Sequence, residues 1–349
     1  MESNNNKTIC VTGASGFIAA HAVKQLLEQG YRVRGTVRGT ADKYPYLTSL
    51  EGADDRLELV QADLLTNGAF DAVVEGCEYV LHTASPYIVD VKDPQKELVD
   101  PAVKGTTNVL DSCAKSTSVK RVVLTSSIAA ITDEPDSNKV FTEEDWNTKS
   151  SLSRNPYYYS KTKAEQAAWS FFDQNTSLSF DMVVINPYMV IGPSLGPSLN
   201  TSNKIFRDVL SGKYPTIMNI NWGFVDVRDV AKAHILAMEN PDAKGRYLCA
   251  NEVMTMKEVI SFLKESGYNK YPLPMVNLAS HWGNKVMKVL SYTQPKGSGT
   301  YMRTHIGRTM RYDNSKIKND LQIHFIEARQ SIKEAITDML QWKHLKARG

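Results

Sequence analysis

Over the first 190 residues, short runs of β-branched and aliphatic residues alternate with segments whose apolar positions recur every three to four residues. The runs predict strands over 8–11, 31–37, 57–61, 79–82, 121–125 and 180–185. The segments between them predict helices over 17–29, 40–50, 68–74, 94–115 and 157–173. Strands separated by helices imply right-handed crossovers and a parallel sheet covered on both faces. The expected fold class is α/β, a doubly wound parallel sheet. The polar run at residues 4–6 reads as a frayed tail ahead of the first strand.

From residue 186 the rhythm changes, because Pro187, Gly192, Pro193, Gly196 and Pro197 punctuate the chain. Helices are expected over 204–211, 227–239, 256–265, 315–320 and 331–340, and a strand over 245–250. The apolar residues of 270–312 fit neither period. This pattern predicts a sheet-bearing part over 1–185 and a smaller lobe over 186–349, with 224–250 returning to the sheet.

The junction between the first strand and the first helix reads Gly13-Ala-Ser15-Gly16-Phe17-Ile18-Ala19. Gly13 permits a tight turn, Gly16 lets the backbone approach a pyrophosphate, and Ala19 is small enough for close helix packing. The free N–H groups of the helix N-terminus would then face the anion, so Gly13, Ser15, Gly16, Phe17 and Ile18 are candidate dinucleotide-binding residues. At the end of the second strand, an NAD site places a carboxylate on the ribose 2′-hydroxyl, whereas an NADP site places a cation on the 2′-phosphate. This strand runs Tyr31-Arg-Val-Arg-Gly-Thr-Val37 into Arg38, with no carboxylate until Asp42 and with Lys43 next to it. Arg38 and Lys43 favour NADP(H).

The fifth strand ends in Ser126-Ser127, and about 30 residues later two Tyr-x-x-x-Lys pairs overlap, Tyr157 with Lys161 and Tyr159 with Lys163. In a helix each pair shares one face. Continuing the first face gives Ala164, Ala168 and Phe172, a small apolar stripe; the second gives Gln166 and Ser170. Tyr157 and Lys161 therefore face inward. A phenol near pKa 10 is a poor acid or base at neutral pH, but an adjacent ammonium favours its phenolate. Tyr157 could then exchange a proton with a carbonyl oxygen, with Ser127 holding that oxygen and Lys161 tuning the phenol and reaching the nicotinamide ribose.

Composition adds limits. The 349 residues, 42% hydrophobic and 23% charged, describe an ordinary globular chain with no need of disulfide or metal staples. The net charge of +3, from 41 basic and 38 acidic residues, gives no broad field for nucleic acid or a membrane, so anion binding is expected to be local. Cys10, Cys77, Cys113 and Cys249 are scattered in apolar stretches and read as reduced buried thiols. No metal site is expected from the dispersed histidines, of which His82 and His234 sit in apolar surroundings. The N-terminus lacks a signal-peptide pattern, and a cytoplasmic location is expected.

Taken together, these motifs make the chain similar to the extended branch of the short-chain dehydrogenase/reductase superfamily, whose cofactor half is a Rossmann fold. Within it the chain resembles dihydroflavonol reductases, cinnamoyl-CoA reductases and related aldehyde or ketone reductases. The matching pieces are Thr12-Gly-Ala-Ser-Gly-Phe-Ile-Ala19, Gly35-Thr-Val-Arg38, Ala62-Asp-Leu64, His82-Thr-Ala-Ser-Pro86, Thr125-Ser-Ser127, Tyr157-x-x-Ser-Lys161, Asn186-Pro-Tyr-Met-Val-Ile-Gly-Pro193 and Phe224-Val-Asp-Val-Arg-Asp-Val-Ala231. The resemblance implies NADPH-dependent reduction of a small-molecule carbonyl compound, in a monomer or a homodimer. It also implies that Asp63 and Leu64 line the adenine pocket, that Thr83, Ala84 and Ser85 run beside the nicotinamide ribose, and that Pro187 and Val190 pack near the carboxamide. It selects Ser127, Tyr157 and Lys161 as the catalytic set. Cinnamoyl-CoA reductases carry Asn-Trp-Tyr-Cys-Tyr-Gly-Lys where this chain has Asn155-Pro-Tyr-Tyr-Tyr-Ser-Lys161, which weakens a CoA-ester reading. Asn108 reads as a helix packing or hydrogen-bonding residue. Substrate choice is expected from 86–91, 128–131, 192–203 and 270–312, with Tyr87, Tyr188, Met218, Trp222 and Phe224 offering an apolar or aromatic lining. An NAD-dependent sugar-nucleotide epimerase or dehydratase, and a non-catalytic NADP-binding redox sensor, share these motifs and stay open as alternatives.

Overall fold

The computed structural model describes residues 6–85, 91–294 and 296–348. Strands β1 (Thr8–Thr12), β2 (Arg32–Val37), β3 (Leu57–Gln61), β4 (Tyr79–His82), β5 (Arg121–Thr125) and β6 (Asp181–Pro187) form a sheet with β9 (Gly245–Cys249). Its order is β9-β6-β5-β4-β1-β2-β3, and every neighbouring pair is parallel. Helices α1 (Phe17–Glu28), α2 (Asp100–Lys115), α3 (Pro156–Gln174) and α4 (Val227–Glu239) cover it.

The two-residue period of the strands divides the core between the two faces. Ile9, Val11, Val123, Val183 and Ile185 pack with α1 and α4, through residues such as Ala22, Val23, Val230 and Ala233. Their neighbours Cys10, Val122, Leu124, Met182 and Val184 pack with Val109 and Cys113 of α2 and Ala168 of α3. The four cysteines are free and buried. Arg121 fastens one corner: its side chain pairs with Asp181 at 2.6 Å and donates to the carbonyl of Ala237 at 2.8 Å and to those of Asn240 and Pro241.

A smaller sheet of β7 (Met189–Ile191), β8 (Asn221–Asp226) and β10 (Glu252–Thr255), ordered β10-β8-β7, supports the second lobe. With α5 (Met256–Glu265) and α8 (Ala328–Gln341) it encloses a separate core containing Phe206, Trp222, Phe224, Leu263 and Ile336. The N-terminus of α5 is closed by a capping box, in which Thr255 accepts from the Glu258 N–H and Glu258 accepts from the Thr255 N–H. Between α5 and α8 lie α6 (His281–Leu290) and α7 (Lys296–His305), in the stretch where the sequence shows no clear period.

Three departures from expectation have local causes. The helix expected over 40–50 is a 3-10 turn, Ala41–Lys43, and a short helix, Pro45–Thr48, because Pro45 pushes Tyr44 out of helical geometry to φ −125°. The helix expected over 94–115 opens as a wide π turn, Gln95–Val99, since Pro101 offers no N–H to the carbonyl four residues before it. Of the stretch 224–250, residues 245–249 join the large sheet, but Phe224, Val225 and Asp226 pair with β7 in the small one. All six residues of β8 are buried, so the strand shows no polar alternation to reveal it.

Candidate active site

In the order of the large sheet, β1 lies between β4 and β2, so consecutive crossovers leave in opposite directions and open a crevice at the carboxyl ends of β1 and β4. Gly13 turns there with φ +64°, and a Cβ on it would lie 2.9 Å from the Ala84 Cβ. Its N–H donates to Thr36 Oγ1 at 2.9 Å, and the Gly16 N–H donates to the Gly13 carbonyl at 2.8 Å. Helix α1 starts after Gly16 with no acidic residue in its first turn. The Thr12 hydroxyl hydrogen-bonds His82 Nδ1 at 2.8 Å and accepts from the Ala84 N–H at 3.0 Å, while the Thr83 hydroxyl donates to the Thr12 carbonyl at 2.5 Å. Thr83 and Ala84 are thereby held directly against the turn. Ser85 follows them, half-buried.

At the end of β2, Arg38 is exposed and its guanidinium has no ion pair among the described residues. Lys43 is exposed too and bends back over Gly39, whose added Cβ would meet Lys43 Cδ at 3.0 Å. Two exposed cations therefore follow β2, the strand end at which an NADP site places a cation. Asp63 accepts from the Leu65 N–H at 2.8 Å, and the Leu64 carbonyl accepts from Asn108 Nδ2 at 2.7 Å, which accounts for Asn108 as a packing and hydrogen-bonding residue. The Gly13 cradle, the acid-free helix start and the free cations fit an NADP(H) molecule.

Helix α3 starts from Asn155, which adopts φ +50°, a conformation that asparagine tolerates and that its side chain secures by donating to Asp133. Pro156 occupies the first turn and Tyr157 follows, half-buried and edge-on to Tyr158 with ring centroids 6.0 Å apart. One turn on, Lys161 is 9% exposed and makes no hydrogen bond among the described residues. Burial pushes its ammonium down to about 8, against an upward pull from Glu165. His82 is pushed down to about 3 by burial and secondly by Lys161, so it is neutral. Ser127 Oγ accepts from the Ala129 N–H at 3.2 Å, and the Ala129 carbonyl accepts from Thr162 of α3 at 3.2 Å, tying the serine loop to the tyrosine helix.

The other pair lies on a different face. Lys163 sits over the Tyr159 ring at 5.4 Å and donates to Gln166 at 3.2 Å, in a cleft of about 750 Å³ between α2 and α3. Sequence reasoning missed the layer below Lys161. Glu165 is buried and accepts from Ser126, from Asn186 at 2.8 Å and from Trp169 at 3.3 Å, and it pairs with Arg246 at 2.6 Å. Asn186 also donates to the Ser127 carbonyl at 3.1 Å. Glu165 falls four residues after Lys161, and that spacing was the available signal.

Pro187 and Val190 are buried at the junction of β6 and β7. The Gly192–Asn203 stretch, expected to select substrate, sits instead at the glycine turn. Leu195, Gly196 and Asn200 bound a cavity of about 160 Å³ with Ser15, Phe17 and Tyr46, and the Tyr46 hydroxyl donates to the Ser15 carbonyl at 3.0 Å. Met218, Trp222 and Phe224 are buried in the core of the second lobe and are not a substrate lining. Ile128 and Ile131 are buried in a small cluster with Phe141, Leu248 and Met310, against which Tyr188 and Tyr312 pack. Residues 86–90, including Tyr87, lie outside the described residues. What faces Tyr158 is His305 of α7, at 6.2 Å, itself stacked on Tyr301 at 3.9 Å.

Comparison with known proteins agrees with this geometry. The family model described as NAD dependent epimerase/dehydratase family matches residues 9–250. Cinnamoyl-CoA reductase CAD2 of Medicago truncatula is 51% identical over 270 residues, which span 75% of this chain and 82% of that protein. Cinnamoyl-CoA reductase 1 of Petunia hybrida is 39% identical over 350 residues, 99% of this chain and 96% of that one. Among solved structures, Gre2 of Candida albicans in complex with NADPH superposes with a TM-score of 0.79 at 33% identity, covering 96% of this chain and 99% of its own.

Proposed function

The chain belongs to the NAD-dependent epimerase/dehydratase family, in its extended short-chain dehydrogenase/reductase branch, and from that premise we propose that it is an NADPH-dependent carbonyl reductase in which Tyr157 donates the proton. The observation that carries this reading is the arrangement along one sheet edge: unpaired Arg38 at the end of β2, and Tyr157 above buried Lys161, with Ser127 joined to the same helix. The Gly13–Ile18 turn, Arg38, Lys43, Asp63, Leu64, Thr83–Ser85, Pro187 and Val190 would hold NADPH, which would supply the hydride for the carbonyl carbon. Ser127 Oγ holds the carbonyl oxygen. The Tyr157 phenol gives its proton to that oxygen as charge develops on it, and the Lys161 ammonium stabilises the resulting phenolate. Glu165 pulls the Lys161 ammonium upward against its burial, which favours the cationic form.

The substrate class we propose is an apolar or aromatic aldehyde or ketone. It is supported by the aromatic wall of Tyr158, His305 and Tyr301, whose members are neutral at pH 7, His305 being pushed down to about 4 by burial. Two of the compared relatives are named cinnamoyl-CoA reductases, so a CoA thioester belongs in the same comparison. The test is NADPH consumption across aliphatic aldehydes, aromatic aldehydes, dihydroflavonol-type ketones and an aromatic CoA thioester. Turnover of an aldehyde or ketone with NADPH preferred over NADH is the expected result. Stoichiometric NAD released from the purified, denatured protein would overturn the reading in favour of an epimerase, and tight NADPH binding with no turnover across the panel would overturn it in favour of a sensor.

A further inference from the structure

The stretch 266–312 contains seven Lys or Arg residues and no Asp or Glu. With +3 overall and +7 in this stretch, the rest of the chain carries −4, so the small net charge is an average over two regions of opposite sign. The same stretch holds most of the large exposed apolar side chains among the described residues: Met275 is 87% exposed, Trp282 70%, Val289 69% and Tyr292 75%, with Val276 and Leu290 also exposed. Together these make six of the nine large exposed hydrophobic residues among the described residues.

Helix α6 organises the patch. Gly283 and Met287 are buried against the lobe, which turns Trp282, Lys285 and Val289, at spacings of three and four, outward on one side. Tyr292 follows under the guanidinium of Arg303, 4.4 Å from its ring centroid. Among these cations, Lys270 and Lys285 are exposed and form no ion pair among the described residues. The next helix, α7, bears His305, which faces Tyr158, and Tyr301, stacked on His305, so the patch precedes in the chain the element that walls the site.

We propose that this face docks reversibly on an anionic lipid surface, with Trp282, Val289, Leu290 and Tyr292 entering the headgroup boundary and the exposed, unpaired Lys270 and Lys285 facing the lipid phosphates and carboxylates. An amphipathic helix with tryptophan and aliphatic residues on the exposed side, interleaved with lysine and accompanied by no acidic residue, has the composition of an interfacial element. Protein–protein interfaces are instead depleted in lysine at their core. No helix among the described residues is long and apolar enough to cross a membrane, so the contact would be peripheral.

The experiment is flotation of the full-length protein with vesicles of phosphatidylcholine alone and with vesicles containing roughly 30% phosphatidylserine. Binding is expected to the anionic vesicles only, with loss at high salt and a blue shift of tryptophan emission. Trp282 is the exposed one of the five tryptophans, so the shift should vanish in Trp282→Ser. Lys285→Gln should weaken binding about fivefold, the effect of one basic residue near such a surface. Both side chains are exposed, and unchanged melting temperatures verify that the variants are folded. Wild type that stays with neither vesicle, that binds both equally, or that binds anionic vesicles as well after Trp282→Ser and Lys285→Gln would overturn the proposal. Trp282-dependent self-association without vesicle binding would overturn it as well, by assigning the patch to a second copy.

Discussion

Replacing Lys161 with methionine should make the apoprotein more stable at neutral pH while it removes reductase activity. Lys161 is buried, and burial moves its ammonium from 10.5 to about 8 even though Glu165 opposes the change. That interval corresponds to about 3 kcal/mol of stability lost by keeping the charge inside the fold, at roughly 1.4 kcal/mol per pH unit. The sign follows from proton binding. Because the folded value is the lower one, the folded chain holds fewer protons than the unfolded chain between pH 8 and 10.5, and stability rises with pH across that window. The full cost is present below about pH 8 and fades toward 10.5. Methionine has similar length and no charge, so Lys161→Met should recover most of it. With an unfolding entropy of about 2 cal/mol/K per residue, 3 kcal/mol corresponds to a rise of about 4 °C in Tm for a chain of this size. Thermal melts of wild type and variant without cofactor, at pH 7 and again near pH 10, measure it. A variant that melts at or below wild type at pH 7, or whose advantage persists undiminished near pH 10, would refute the reasoning.

Three further outcomes follow from single contacts. Arg38→Asp removes the unpaired cation at the end of β2 and should weaken NADPH binding by about tenfold to a hundredfold, the worth of a charge-assisted bond, while NADH binding improves; titrating both cofactors reads it directly. Gly13→Ala puts a Cβ 2.9 Å from the Ala84 Cβ on a residue with φ +64°, so both stability, by about 1–3 kcal/mol, and cofactor affinity should fall, as seen in melts with and without NADPH. Arg121→Leu leaves Asp181 exposed but strips hydrogen bonds from the carbonyls of Ala237, Asn240 and Pro241, and denaturant titration should show a loss of about 3 kcal/mol with the activity of the folded fraction retained.

The large sheet was legible because its signals are local. Each strand is a short apolar run, each junction has a breaker, and the glycine turn needs only the seven residues Gly13–Ala19. The burial of Lys161 was legible too, since helical spacing alone puts it with Ala164 and Ala168 and leaves Lys163 beside Gln166. What could not be read was set by distant partners. Strand β8 is buried throughout and exists because β7, which ends at Ile191, and β10, which starts at Glu252, flank it from distant parts of the chain. Trp222 and Phe224 are large and aromatic in either a binding site or a core, and only the closure of the second lobe around them decides for the core. The Glu165 cluster joins Ser126, Asn186 and Arg246, positions spread over 121 residues, so no window of sequence contains it. Loop 192–203 is expected to select substrate, yet the ring of Tyr46 packs on Gly196 beside the glycine turn, so closely that an added Cβ would lie 2.9 Å from it.

The central claim is that Tyr157 delivers the proton, and single-turnover kinetics of Tyr157→Phe test it most directly. With NADPH binding verified by the quenching of protein fluorescence, the rate of NADPH oxidation with the best carbonyl substrate should fall by about a hundredfold or more, the usual worth of a positioned acid. A Tyr157→Phe enzyme that binds NADPH and reduces the same substrate at the wild-type rate would contradict the account.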